Sequence, residues 1–180
     1  MKAIQSKSIE SILASTALVL ALCTTQASAT DQRAPELTGV ATNIAVGSGY
    51  KVHFHAYAVG FQIYHWNAAL GTWGASTPAA ILYDADGNEV GTHFAGPTWE
   101  SNSGSFVKGA VLQRATPDST AIPWLLLQAI TTDGPGIFEP TKLIQRVNTV
   151  GGKAPSSPGA FDGEEADIPY TAEYYFYREI

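Results

Sequence analysis

Histidine is the residue type in this chain best suited to chemistry, and two of its four histidines stand two positions apart. On a β-strand His53 and His55 would share one face, because side chains two residues apart point to the same side. Two imidazoles placed in this way can bind one metal ion, and His93 would add a third ligand. Such a set suits zinc or copper. The same histidines could instead be polar surface residues or buried residues bonded to the backbone.

A second candidate site lies in residues 91–100 (GTHFAGPTWE), which hold an imidazole, two aromatic rings and a carboxylate. His93 and Glu100 on one loop could act as a general acid and base. No G-x-S-x-G motif occurs to supply a nucleophile. A local role for Glu100, as a cap or a pairing partner, is the competing interpretation.

Aromatic residues are the third candidate. Exposed rings would suit sugar stacking or a protein partner, whereas rings that alternate along a strand are more often core and cross-strand pairs. The rings in question are Trp66, Trp73, Trp99, Trp124, Tyr170, Tyr174, Tyr175 and Tyr177.

These residues sit in segments that alternate between apolar and polar positions, the pattern of half-buried strands. Residues 84–88 (DADGN) have the composition of a hairpin turn and fail the spacing of a calcium loop. Residues 31–49 read as an extended leader that becomes ordered toward residues 44–46, and 150–167 as a long loop. The predicted strands are two within 50–66 that meet near Gly60, then 79–83, 89–94, 106–115, 122–130, 142–149 and 168–178.

Short strands separated by Gly/Pro turns, with no long amphipathic helix, predict an all-β fold. We expect a single antiparallel β-sandwich or barrel-like domain over residues 30–180.

Residues 1–29 read as a signal peptide. A basic start is followed by a short apolar run at 12–23 and a small-x-small cleavage site at 27–29. That run is too short to span a bilayer, so no stable membrane anchor is expected after cleavage. We expect export to the periplasm or the cell exterior.

Cleavage there would leave eight basic and fifteen acidic side chains, a net charge of −7. Such an acidic chain lacks the basic footprint of a nucleic-acid partner. The single cysteine, Cys23, would leave with the signal peptide, so the mature chain would have no thiol nucleophile and no cysteine-based metal site.

The chain resembles a family of small secreted proteins that is catalogued only as a domain of unknown function. The resemblance is carried by HAYAVGFQIY (55–64), ILYDADGNEVGTHFAGPTWE (81–100), IPWLLLQA (122–129), IQRVNTVGGKAP (144–155) and IPYTAEYYFY (168–177).

Some fungal members of that family are labelled malate dehydrogenase, but this sequence gives the label no support. A dinucleotide site needs G-x-G-x-x-G between a strand and a helix, whereas Gly47-Ser48-Gly49 lacks the third glycine and precedes a strand. The resemblance also implies cysteines where this chain has Trp66 and, roughly, Phe161.

Two functions follow as hypotheses. The first is an exported module that binds a small ligand, a glycan or a protein partner through a face carrying His55, Tyr57, His93, Trp99 and Glu100. The second is a zinc or copper metalloprotein that uses His53, His55 and His93. Whether the protein is an enzyme, and its oligomeric state, stay open at this point.

Overall fold

The computed structural model describes residues 33–180, so the predicted signal peptide lies outside the described residues. Strands dominate, and no helix in this part of the chain is long and apolar enough to cross a membrane. A short 3₁₀ helix occupies Gly39–Ile44. The strands are β1 (Tyr50–Asn67), β2 (Thr72–Trp73), β3 (Thr77–Tyr83), β4 (Glu89–Phe94), β5 (Thr98–Ser101), β6 (Phe106–Ala115), β7 (Trp124–Asp133), β8 (Leu143–Gly151) and β9 (Glu165–Glu179).

The strands form one antiparallel sheet that closes on itself in a barrel-like arrangement. Each strand from β3 to β8 pairs with the next strand in the chain, and β9 also pairs with β1. The β1–β9 pairing runs from Tyr50–Glu179 to His65–Glu165, and β3 pairs on the other side of β1. β2 only extends the far end of β1. The predicted all-β fold is confirmed, in its barrel-like form.

Apolar residues at every second position explain why these segments form strands. Along β9, Tyr170, Ala172, Tyr174 and Phe176 are all buried and belong to one core cluster. Alternate residues of a strand share a face, so these four side chains point into the closed sheet. Phe54, Phe138 and Phe176 fill the interior with contacting rings at the end where β1 begins.

A second core lies on the outside of the sheet, beneath the N-terminal segment. Ile44 is fully buried there against Val52, Val147 and other outward side chains. Gln145 Nε2 donates a 2.6 Å hydrogen bond to the carbonyl oxygen of Ile44. The leader predicted as extended therefore contains a 3₁₀ turn that covers one outer patch of the sheet.

The prediction of two strands meeting near Gly60 is wrong, because β1 is one strand of 18 residues. Glycine usually marks a break, but Gly60 pairs with both Ala80 and Tyr170. A Cβ at this position would lie 2.2 Å from the carbonyl oxygen of Ala79. Gly60 thus serves a close approach between strands rather than a turn.

Most other elements agree with the sequence. The hairpin of β3 and β4 closes through residues 84–88, where Asp84 Oδ1 accepts hydrogen bonds from the backbone N–H groups of Asp86 and Asn88. β5 was not predicted, because four residues after a Gly-Pro turn carry too short a pattern. The long loop predicted over 150–167 is shorter, since β9 already begins at Glu165.

The position where the family resemblance implies a cysteine is packed by an indole. Trp66 contacts Trp73 edge to face, at 5.4 Å between ring centroids. A Cβ on Gly159 would lie 2.5 Å from the Trp66 ring, so the loop backbone passes directly over it. Phe161, in contrast, is exposed.

Candidate functional site

A cavity of about 350 Å³ opens into the interior of the sheet. It lies toward the Gln62 end of β1, away from the phenylalanine cluster. Its walls come from β1, from every strand from β3 to β9, and from the segments before β3 and between β4 and β5. They comprise Gln62, Ala75, Ser76, Thr77, Pro78, His93, Gly96, Pro97, Trp99, Arg114, Leu125, Leu127, Arg146 and Tyr174.

Unpartnered polar atoms gather at this cavity. Among residues 33–180, four buried side-chain atoms make no hydrogen bond of good geometry: Gln62 Nε2, Trp99 Nε1 and the hydroxyls of Tyr170 and Tyr174. Three of the four residues line the cavity. The Tyr170 hydroxyl lies close enough to Gln62 and Tyr174 for weak hydrogen bonding to influence its pKa, and Tyr174 is placed in the same way beside Arg146. Buried polar groups in proteins are nearly always bonded, so a cluster of exceptions needs an explanation.

Both phenols are neutral. Burial raises the pKa of Tyr170 and of Tyr174 well above the usual tyrosine value. Each hydroxyl therefore keeps its proton and can donate one hydrogen bond and accept others. The amide of Gln62 and the indole of Trp99 add two more N–H donors.

His93 is neutral as well. Its pKa is lowered to about 3, chiefly by burial; the hydrogen bond to Thr98 opposes this shift, and the nearby charge of Arg146 adds to it. Nδ1 lies 2.8 Å from the carbonyl oxygen of Thr98, so Nδ1 carries the proton and donates it. Nε2 is then an acceptor. The imidazole stacks on its cross-strand partner Trp99, with centroids 4.3 Å apart and planes 7° apart.

Arg146 supplies positive charge to the cavity wall. Its Nε and Nη2 atoms donate to the carbonyl oxygen of Pro123, at 3.2 and 2.7 Å. The guanidinium also acts electrostatically on His93, Tyr170 and Tyr174. In the described part of the chain no carboxylate forms a salt bridge with it.

The structure divides the residues of the predicted binding face. His93 and Trp99 are together inside the cavity. His55 and Tyr57 lie outside the sheet, with ring centroids 4.6 Å apart. Glu100 follows Trp99 in β5 and so points to the outer face, opposite Thr92. His93 and Glu100 therefore do not form an acid–base pair, and the five residues do not share one face.

The three histidines of the metal hypothesis also lie apart. His53 Nε2 is 3.1 Å from Thr141 Oγ1, and His55 Nε2 is 3.1 Å from Glu173 Oε2. His93 is inside the sheet. Over residues 33–180 no group of three or more His, Cys, Asp or Glu side chains is arranged to hold a metal ion. The arrangement gives the zinc or copper hypothesis no support.

His55 belongs instead to a polar cluster on the outer face. Glu173 Oε2 accepts hydrogen bonds from His55 and from the Tyr175 hydroxyl, and Oε1 accepts one from Asn148. The bond from His55 is the largest of the influences that lower the pKa of Glu173 to about 2. His55 also stacks on Tyr175, at 4.0 Å between ring centroids. Both carboxylate oxygens of Glu173 are thus bonded within the cluster, which is typical of a structural role.

Sequence reasoning did not single out Gln62 and Arg146 as site residues. A signal was available for both. Gln62 continues the even-numbered series of Phe54, Ala56 and Ala58 that faces the core, and Arg146 shares a strand face with the buried Ile144. A polar or charged residue on the apolar face of a strand marks either a bonded core group or a site.

A closed β-sheet with a polar interior cavity describes a class of architecture, and the sequence comparison places the chain more narrowly. The family described as "Protein of unknown function (DUF3455)" matches residues 47–178, so this chain belongs to that family. Searches of curated proteins and of solved structures found no match.

Proposed function

We propose that this chain is an exported small-molecule-binding protein whose ligand occupies the interior cavity. The observation that carries the proposal is the concentration of unpartnered polar atoms around one opening. Gln62, Trp99 and Tyr174 contribute three such buried donors to its wall, and the Tyr170 hydroxyl lies beside Gln62 and Tyr174. Burying such a group without a hydrogen bond costs about 1–3 kcal/mol, so a polar ligand that satisfied them would gain that free energy.

The size and chemistry of the cavity support this function. Its volume of about 350 Å³ falls in the range of small-ligand sites. Leu125 and Leu127 form an apolar wall opposite a few convergent polar groups, the usual composition of such sites. The export signal expected at residues 1–29 fits a protein that meets its ligand outside the cytoplasm.

The outer surface supports a binding role less well. Tyr57, Val59, Phe61 and Ile81 expose apolar side chains there. Both carboxylate oxygens of the neighbouring Glu173 are already bonded. No feature of that face selects a particular partner, so the cavity is the better candidate.

The test is a screen of small polar and aromatic compounds by saturation-transfer NMR, with competition among the hits. The protein is compared with an Ala75→Trp variant. Ala75 is exposed and lines the cavity, so an indole there obstructs the opening without disturbing the core. Ala85→Trp in the β3–β4 turn is the matched control, because it adds the same indole away from the cavity.

The proposal predicts mutually competing hits that the Ala75→Trp variant loses and the Ala85→Trp variant keeps. No hits, or hits that both variants retain, would overturn it.

A further inference from the structure

We propose that the ligand is a small organic carboxylate with a flat apolar body, held by Arg146. This inference rests on the proposed function and adds the chemical class of the ligand. It follows from the charges on the cavity wall, from its hydrogen-bond donors and from its aromatic residues.

The wall is positive in a protein that is acidic overall. The chain has a net charge of −6, yet the residues lining the cavity include Arg114 and Arg146 and no aspartate or glutamate. His93 is neutral and adds no charge of its own. A partly buried guanidinium usually lies beside a carboxylate, which compensates its lost hydration. Within residues 33–180 no protein carboxylate plays that part for Arg146.

The geometry of the guanidinium leaves room for an anion. The Pro123 carbonyl takes the Nε and Nη2 edge, and no hydrogen bond of good geometry from Nη1 occurs among the described residues. Tyr174 lines the same cavity, and its hydroxyl is close enough to the guanidinium for weak hydrogen bonding but makes no hydrogen bond of good geometry within that part of the chain. One N–H and one O–H donor in this arrangement suit the two oxygens of a carboxylate.

The aromatic rings and the aliphatic wall of the cavity determine which apolar group of a ligand fits there. His93 and Trp99 are stacked nearly parallel, and Tyr174 meets both edge to face, at 5.1 and 5.3 Å between centroids. Leu125 and Leu127 add aliphatic surface. Such walls favour a flat apolar group over a highly hydroxylated one such as a sugar.

The experiment is isothermal titration calorimetry of the protein with benzoate and with benzamide. The two probes have nearly the same shape, but only benzoate is charged at pH 7. We expect benzoate to bind at least about tenfold more tightly, the size of one charge-assisted hydrogen bond. This comparison needs no variant. Equal affinity for the two probes, or tighter binding of benzamide, would overturn the inference while leaving a cavity-binding function in place.

Substitutions test whether Arg146 supplies the positive charge that binds the carboxylate. Arg146→Gln should weaken benzoate binding about ten- to hundredfold and leave benzamide nearly unchanged. Arg146→Lys should restore part of the loss, because it returns the charge without the planar fork. Arg178→Gln removes an exposed arginine outside the cavity and should leave benzoate affinity unchanged. An equal loss in Arg146→Gln and Arg178→Gln would mean that net charge, not this site, attracts the anion.

Two other results bear on the same proposal. Inorganic phosphate that competed with benzoate at equal affinity would overturn the apolar-body part, since phosphate has none. If neither probe bound and the fragment screen also failed, the proposed function itself would be at fault.

Discussion

The hydroxyl of Tyr174 is buried and makes no hydrogen bond of good geometry within residues 33–180, although Tyr170 and Arg146 lie close enough to influence its pKa. A buried unpaired hydroxyl lowers stability, so its presence suggests a role other than folding. Tyr174→Phe should therefore leave the free energy of unfolding unchanged or raise it by up to about 1 kcal/mol, while it weakens ligand binding. Urea unfolding and the benzoate titration measure the two effects.

Tyr64 is the matched control for that substitution. Its hydroxyl donates a 2.6 Å hydrogen bond to the carbonyl oxygen of Gly152. Tyr64→Phe should lower stability by about 1 kcal/mol, because it leaves a buried acceptor unpaired. A loss of stability in Tyr174→Phe as large as in Tyr64→Phe would show that the Tyr174 hydroxyl serves the fold.

Glu173 makes stability depend on pH in the acid range. Its pKa is lowered from 4.5 to about 2, first by the hydrogen bond from His55. A carboxyl group with a lower pKa in the folded state stabilises the fold above its unfolded pKa, and that contribution is lost as the pH falls from about 4.5 through about 2. The loss, reduced by solvent screening, should be about 1–2 kcal/mol.

The check is urea unfolding at several pH values between 6 and 2, with the protein beside a Glu173→Gln variant. The variant should be less stable at pH 6 and should show a flatter dependence on pH. Parallel curves for the two proteins would contradict this account of Glu173.

At the scale of strands, Gly60 shows why local sequence misled the prediction of β1. Its Cβ would meet backbone and side-chain atoms of Ala79 and Ala80 at 2.2 to 2.7 Å. Gly60→Ala should therefore force β3 away from β1 and lower stability by about 2–4 kcal/mol. Gly49→Ala is the control, because a Cβ there meets nothing within 4 Å and should be close to neutral. Thermal unfolding compares the two variants, and equal melting temperatures would contradict the close-approach explanation.

The N-terminal segment is an element that the sequence pattern did not reveal. Ile44 is fully buried in the outer core, whereas Val40 in the same 3₁₀ helix is 62% exposed. Ile44→Ala should lower the free energy of unfolding by about 2–4 kcal/mol and Val40→Ala by less than about 0.5 kcal/mol. Urea unfolding distinguishes them. Similar small losses would show that the segment contributes little to stability.

How far the sequence predicts the fold depends on the range of the interactions involved. Alternation is local, so β6 was predicted with the bounds it has in the structure, and the β3–β4 hairpin was found from its turn residues. The continuity of β1 through Gly60 and the burial of Ile44 depend on distant strands. No local pattern carries that information.

The site was predicted only in part, because its residues come from strands that are distant in the sequence. The composition of residues 91–100 singled out His93 and Trp99, and both residues line the cavity. Their separation from His55 follows from the closure of the sheet, which puts alternate residues of neighbouring strands inside and outside. The sequence signal for Arg146 is its place two residues after the apolar Ile144, and the closure of the sheet shows that this shared face points inward.

For the whole molecule, the interior is divided along its length. Rings of Phe54, Phe138 and Phe176 pack one end, and the other end retains an open polar cavity. Because the sheet closes, β1 and each strand from β3 to β9 have at least two hydrogen-bonded neighbours. This pairing provides the rigidity that a preformed site needs. The fold can thus tolerate unpaired polar groups at one end because the packed end and the outer core stabilise it.

The central claim, that the cavity binds a small molecule, is tested most directly at the indole N–H of Trp99. Trp99 Nε1 is unpartnered within the described residues, whereas Trp73 Nε1 donates a 2.9 Å hydrogen bond to the carbonyl oxygen of Ser157. In ¹⁵N–¹H spectra recorded during titration with benzoate, benzamide and their naphthalene homologues, we expect the Trp99 indole signal to move in a saturable way. The Trp73 signal should stay in place. A Trp99 signal that does not move with any of these compounds, or one that moves only together with Trp73, would contradict the account.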